Sequence, residues 1–243
     1  MARLLIISDI HANLAAFEAV LEDASGEWDE IWCLGDIVGY GPDPNECAAL
    51  LREHDHISLS GNHDWAVLGR LDISAFNSEA QNAIRWTQQT ITAETRAYLE
   101  RLPATLVEAP FTLAHASPRQ PVWEYILDRS TASLNFAHFD TRFCLVGHTH
   151  APVIFKEVDE GHVKTYQPQY STPTPLGGNR LIINPGSVGQ PRDSDPRAAY
   201  ALLDTEQMTW EHRRVAYRVA ATQERMASLG LPRRLVARLE HGW

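Results

Sequence analysis

The chain has 243 residues, with 21 Lys and Arg against 31 Asp and Glu, which gives a formal net charge of −10 at pH 7. A negative overall field opposes sequence-independent binding of long nucleic acids, which depends on cationic side chains neutralising phosphates. A content of 44% hydrophobic and 21% charged residues excludes the composition of a disordered chain.

The length fits one domain of α/β size over residues 1–243, since no Ser/Gly/Pro-rich linker divides it. The first apolar run, Leu4 to Ile7, is too short for a signal-peptide core, and no stretch approaches the roughly 18 consecutive apolar residues of a membrane span. Cys33, Cys47 and Cys144 are widely spaced and include no Cys-x-x-Cys pair, so neither a disulfide framework nor a zinc knuckle is expected. Buried thiols in a reducing cytoplasm are the expectation, and the sequence leaves a homo-oligomer open.

In chain order, Arg3 to Ser8 is a β-rich apolar run without alternation, followed by Asp9-Ile10-His11 and an amphipathic helix marked by Leu14, Phe17, Val20, Leu21 and Ala24. The pattern returns at Ile31 to Leu34, which ends in Gly35-Asp36 and leads through a Gly/Pro-rich loop to a helix over Asn45 to Arg52. It returns again at His56 to Ser60, which ends in Gly61-Asn62-His63-Asp64 and precedes helices over about Ser78 to Thr90 and Ala93 to Leu102. Strand-like runs then dominate: Ala104 to Glu108, Phe111 to His115, Phe143 to Gly147, Val153 to Val158, Arg180 to Asn184, Ala199 to Leu203 and Met208 to Arg213. Glu160 to Asn179, rich in Pro and Gly near its end, reads as a surface loop or irregular hairpin. The last segment, about 213–243, holds seven arginines against two glutamates and reads as a helical extension packed on an acidic body. An α/β first half joined to a strand-rich second half predicts a four-layer α-β-β-α sandwich of two packed mixed sheets.

Five of the predicted strands stop in a polar cluster: Asp9-x-His11, Gly35-Asp36, Gly61-Asn62-His63-Asp64, His115, and Gly147-His148-Thr149-His150. Loops at the carboxyl ends of strands are where α/β sheets build their ligand sites. Taken singly, each His or Asp has an ordinary structural reading as a hydrogen-bonding or helix-capping residue. Together they offer imidazole nitrogens, carboxylates and one amide oxygen with no thiolate, a donor set for divalent Mn, Fe, Zn or Ni. Glycines just before Asp36, Asn62 and His148 permit tight backbone there.

These five ordered blocks resemble the signature of the calcineurin-like metallophosphoesterase superfamily across residues 9 to 150. The flanking runs Gly35 to Pro44 and Asn184 to Arg192 look most like its compact bacterial and archaeal phosphodiesterase branch. Ala116 departs from the glycine that many relatives carry after the lone His. The resemblance implies one metal held by Asp9, His11, Asp36 and His150 and a second held by Asp36, Asn62, His115 and His148, with Asp36 bridging two divalent ions, Mn2+ foremost. A shared anion is what two closely spaced cations require. It further implies direct attack on phosphorus by a metal-activated water, with His63 near the leaving group and Asp64 orienting His63 through its other ring nitrogen.

Substrate-facing candidates are Tyr40, read as an exposed aromatic, and Tyr125, with Arg119 and Arg192 suited to bidentate phosphate contacts. Asn184 to Ser187 reads either as a turn or as a buttress of the metal site. The expected function is hydrolysis of a phosphodiester in a small nucleotide-derived substrate. A phosphomonoesterase, a phosphoprotein phosphatase or a dinucleoside polyphosphate hydrolase could use the same ligands, because substrate choice rests on cleft walls that the motifs do not describe. A non-catalytic scaffold would be expected to have lost ligands.

Overall fold

A computed structural model of the chain describes residues 3–243. The elements run β1 (Arg3–Ile7), α1 (Leu14–Asp23), β2 (Glu30–Cys33), α2 (Pro44–Arg52), β3 (His56–Ser58), α3 (Asn62–Val67), α4 (Ser78–Thr90) and α5 (Ala93–Leu99). There follow β4 (Thr105–Glu108), β5 (Phe111–Ala114), α6 (Arg129–Phe136), β6 (Phe143–Leu145), β7 (Val153–Asp159), β8 (His162–Tyr166), β9 (Thr174–Pro175), β10 (Leu181–Asn184), β11 (Ala198–Asp204), β12 (Thr209–Val215), α7 (Val219–Ser228) and α8 (Arg233–Arg238).

Two six-stranded mixed sheets form, ordered β3-β2-β1-β11-β12-β9 and β4-β5-β6-β10-β7-β8. Because each sheet is covered on both faces, its central strands are apolar on both sides. In β1, Leu4 and Ile6 enter the core between the sheets with Phe111, Phe143, Leu145, Ile183 and Trp210, while Leu5 and Ile7 face Phe17 and Val20 of α1. Cys144, Val146 and Ile182 point the other way, onto Ala132 and Phe136 of α6. This double burial is why the runs showed no polar alternation, and it yields the expected four-layer α-β-β-α sandwich. No described helix is long and apolar enough to cross a membrane.

Three local readings are corrected and one is decided between its alternatives. The segment 160–179 takes the irregular-hairpin form: β8 pairs antiparallel with β7, with a register shift between Glu157 and Asp159, and Thr174–Pro175 adds to β12. Two helices, α3 and α6, occur where none was expected. The helical tail starts at Val219 rather than Arg213, because Arg213 to Val215 continue β12 in register with Ala198 to Tyr200 of β11. Tyr40 is not exposed: at 6% it is buried against His11 and His63, with ring centroids 4.6 and 4.2 Å away.

Candidate metal centre

Strands β1, β2 and β3 are parallel, as are β5 and β6, so both sheets send their carboxyl-terminal loops to one rim. Backbone bonds lace these loops together: Asp9 N–H to Gly35 O at 3.0 Å, His11 N–H to Asp36 O at 2.9 Å, and Gly147 N–H to His115 O at 2.7 Å. The approach is tight enough to dictate glycine at several places, of which two show it directly. A Cβ on Gly61 would lie 2.0 Å from Asp36 Oδ1, and one on Gly147 would lie 1.9 Å from Ser8 Oγ across the two sheets. Asp9, His11, Asp36, His148 and His150 all adopt positive φ, between 48° and 65°. Non-glycine residues rarely occupy that region, and a concentration of such strain marks a functional site held open by its surroundings.

The side chains form two groups that share Asp36. In the first, His11 Nε2 lies 3.0 Å from His150 Nε2 and 3.5 Å from Asp36 Oδ2, and His150 Nε2 lies 3.3 Å from Asp9 Oδ1. In the second, His115 Nε2 lies 3.4 Å from Asp36 Oδ2 and 3.2 Å from Asn62 Oδ1. His148 completes the second group: Asp36, His115 and His148 offer atoms within 4.8 Å of one another, as do Asp9, His11, Asp36 and His150.

Three of these rings are oriented by the backbone. His11 Nδ1 donates to Val38 O at 3.2 Å, His115 Nδ1 to Leu34 O at 2.8 Å and His150 Nδ1 to Gln190 O at 2.6 Å. A carbonyl can only accept, so each Nδ1 carries the proton and each Nε2 is left to face the cluster, the usual support of a metal-binding imidazole. The consequence is two acceptor nitrogens, on His11 and His150, in contact with each other and with carboxylates. Asp36 Oδ2 and His148 Nε2 are buried with no hydrogen-bond partner. Cations answer every one of these unmet demands, so the residues present fit a pair of divalent ions.

Electrostatics agree for three of the four imidazoles. Burial pushes His11 and His150 below the usual imidazole range and His148 down to about 3, which keeps them neutral and able to ligate. Burial alone would also lower His115, but the Asp36 carboxylate overrides it and raises the group to about 9. Burial would raise Asp9 and Asp36, yet the adjoining imidazoles, His150 for Asp9 and His115 for Asp36, hold both below the usual carboxylate range.

His63 lies beside the cluster, its ring 4.9 Å from His11, and burial lowers it to about 4. The expected pairing with Asp64 is corrected: His63 Nδ1 has no hydrogen-bond partner. Asp64 instead accepts backbone N–H bonds from Asp36 and Gly61, both at 2.9 Å, and from Val38 at 3.1 Å. It braces the Asp36 turn as an acceptor for several amides that would otherwise be buried unmet. Arg119 is likewise engaged elsewhere, with its guanidinium paired to Glu124, which Ser117 and Asn135 also hold. Tyr125 does reach the centre, its ring 3.9 Å from that of His148. Arg192 Nη2 donates to Tyr40 Oη at 3.3 Å and to Gln190 Oε1 at 3.0 Å.

Asn184 and Ser187 buttress the site. Asn184 Nδ2 donates to Gly147 O at 2.6 Å, and Ser187 Oγ to Asp9 O at 2.9 Å. Asn13 was missed by the sequence reading: its Nδ2 donates to Gly189 O at 2.9 Å, and its Oδ1 accepts from Ala16 N at 3.3 Å and from Thr222 Oγ1 at 3.1 Å. Its place just before a predicted helix marks an N-cap, which was the available signal.

This fold and this centre are those of a metallophosphoesterase, and comparison with known proteins agrees. Residues 2–208 match the calcineurin-like phosphoesterase superfamily domain, and the chain belongs to that family. It is 38% identical to an uncharacterized protein of Methanocaldococcus jannaschii over 240 residues, 96% of each chain. A metallophosphoesterase crystal structure from Sphaerobacter thermophilus superposes with a TM-score of 0.91 at 49% identity, covering 100% of both chains. A hypothetical protein from Pyrococcus horikoshii OT3 shares the fold, with a TM-score of 0.81 at 20% identity, covering 100% of this chain and 99% of the other.

Proposed function

We propose that this phosphoesterase hydrolyses the phosphodiester bond of a small, nucleotide-derived substrate with two divalent ions, Mn2+ being the first candidate. The observation that carries the reading is the pair of ligand groups meeting at Asp36, the arrangement two neighbouring cations need. When bound, the ions supply Lewis acidity and an activated water for direct attack on phosphorus.

The chain's own residues supply position and protons. Asp36, oriented by its backbone bond to Asp64, presents a carboxylate to both groups. His63, neutral at pH 7, donates a hydrogen bond toward the departing oxygen. From His63 a path of rings leads outward, to Phe76 at 5.3 Å and on to the partly exposed Trp123 at 5.1 Å, which supports a substrate with a planar base on the leaving-group side.

Turnover of metal-replete protein on cyclic nucleotides, dinucleoside polyphosphates and a phosphoserine peptide tests the reading. Preference for the diester is expected, and preference for the peptide or the polyphosphate would replace it. A chiral phosphorothioate diester is expected to invert at phosphorus. Net retention would point to a covalent phosphoenzyme instead.

A further inference from the structure

The loop that follows His115 folds back on itself around one acid. Ala116 N–H donates to Pro121 O at 2.7 Å, and Gln120 N–H donates to Ser117 Oγ at 2.9 Å. Ser117 Oγ in turn donates to Glu124 Oε2 at 2.8 Å, and Asn135 of α6 reaches the same oxygen through Nδ2 at 2.8 Å. Arg119 closes the ring, with its guanidinium paired to Glu124 and its backbone N–H donating to Asn135 Oδ1 at 3.1 Å. One carboxylate thus gathers three residues by charge-assisted bonds, and Pro118 and Pro121 limit the backbone between them.

The residues on either side of Glu124 reach different parts of the metal centre. The Trp123 ring lies 5.1 Å from Phe76, which lies 5.3 Å from His63, whereas the Tyr125 ring lies 3.9 Å from His148 of the second ligand group. Both rings stay open to solvent, at 37% and 46% exposure. Two such aromatics, one residue apart at the rim of a polar centre, mark a binding surface rather than core packing. Glu124 to Leu127 belong to no helix or strand, so the turn around Glu124 is what aims the rings.

We propose that Glu124 is a positioning residue for substrate recognition: by folding the 117–125 turn it holds Trp123 where the base of the substrate stacks, with Tyr125 covering the His148 side. This role rests on the nucleotide reading given above and adds which residue sets the base contact. Glu124, turned onto Ser117, Arg119 and Asn135, acts on the substrate only through Trp123. Stacking on an aromatic ring contributes about tenfold or more in affinity per base and tolerates any base, so the turn selects for a planar base without choosing among bases.

Calorimetric titration of the metal-loaded protein with adenosine 5′-monophosphate and with ribose 5-phosphate, which differ by the base alone, reads the contact without turnover of a diester. The nucleotide is expected to bind more tightly by about tenfold or more. Trp123→Ala should remove that margin. Glu124→Gln, which keeps the size of the side chain and loses its charge, should remove most of it, and in both variants ribose 5-phosphate affinity and metal content should hold. Adding Glu124→Gln to Trp123→Ala should change nothing further, because the two residues act in one chain of contacts. On a nucleoside methyl phosphodiester the same losses should appear in KM rather than in kcat. Equal binding of the two ligands by the wild type, or an unaltered margin in Glu124→Gln, would overturn the proposal. So would a further weakening of the nucleotide in the double variant, which would make Glu124 a brace of the fold. Should Glu124→Gln fail to fold, Arg119→Gln removes the ion pair from its other side and carries the same expectation and the same refutation. A Trp123-dependent margin in a protein that cleaves nothing on the phosphoester panel would keep the base contact and lose the enzymatic reading, whereas diester cleavage without the margin would do the reverse.

Discussion

At the scale of single residues, Asp36 is the point on which the whole centre depends, because one carboxylate serves both ligand groups. Asp36→Ala is therefore expected to lower the metal content of replete protein from two ions per chain toward none, as read by elemental analysis. Retention of one full equivalent would show that the groups are independent. His63 should be separable from metal binding. His63→Asn is expected to keep both ions and to lose about 10² to 10⁴ in kcat on an alkyl or ribose diester, but far less on a nitrophenyl ester whose leaving group needs little help. Equal losses on the two esters would make His63 a positioning residue for the phosphoryl group. The ligand types were legible in the sequence because side chains carry that chemistry. The carbonyls of Leu34, Val38 and Gln190, which fix three of the imidazoles, were not, since any residue offers a carbonyl and only the fold decides which one faces a ring. The role of Asp64 was misread for a related reason: adjacency in sequence suggested His63, whereas the short helix α3 turns its carboxylate back onto the amides of the Asp36 loop.

At the scale of elements, the strands were legible because burial on both faces leaves unbroken apolar runs, whereas short helices such as α3 and α6 lack the several turns over which a helical period shows itself. The hairpin of β7 and β8 was legible only as one of two alternatives, since only Val163 of β8 is buried and the strand lacks an apolar signature. Asn13 joins three elements: it caps α1, holds the Gly189 loop and accepts from Thr222 of α7. Asn13→Ala removes a cap and leaves buried partners unmet, at a cost of about 1–3 kcal/mol. Urea unfolding should register that loss, and limited proteolysis should find the tail beyond Tyr217 more readily cut. Wild-type stability in the variant would mean that water or neighbouring groups replace the amide.

For the molecule as a whole, acid sensitivity should have an identifiable contribution from a residue outside the ligand groups. His212 is fully buried in β12 with neither ring nitrogen partnered, and burial, with the Arg214 charge, lowers it from 6.5 to about 3. A folded-state value below the unfolded one means the unfolded chain binds the extra proton. The contribution is therefore fully present above pH 6.5 and is lost as the pH falls toward about 3, at up to about 1.4 kcal/mol per pH unit. Between pH 7 and pH 4.5, His212→Leu should accordingly lose about 2–3 kcal/mol less stability than wild type, with metal state held constant. An identical loss in both proteins would show that His212 is not what senses the acid. The pairing of β1 with β11 has a further bearing on how the molecule comes into being. Arg3 to Ile6 are matched with Ala201 to Asp204, so one side of the first strand stays bare until β11 has been made. Ser187 and Gly189, which hold Asp9 through its carbonyl, arrive in the same late stretch. On the ribosome, then, Asp9 and His11 emerge early yet have no fixed place, and a nascent chain halted before Ala198 should be unable to retain metal. Such long-range closure is slow, and it makes metal capture a signal that synthesis has passed the last strands of the first sheet.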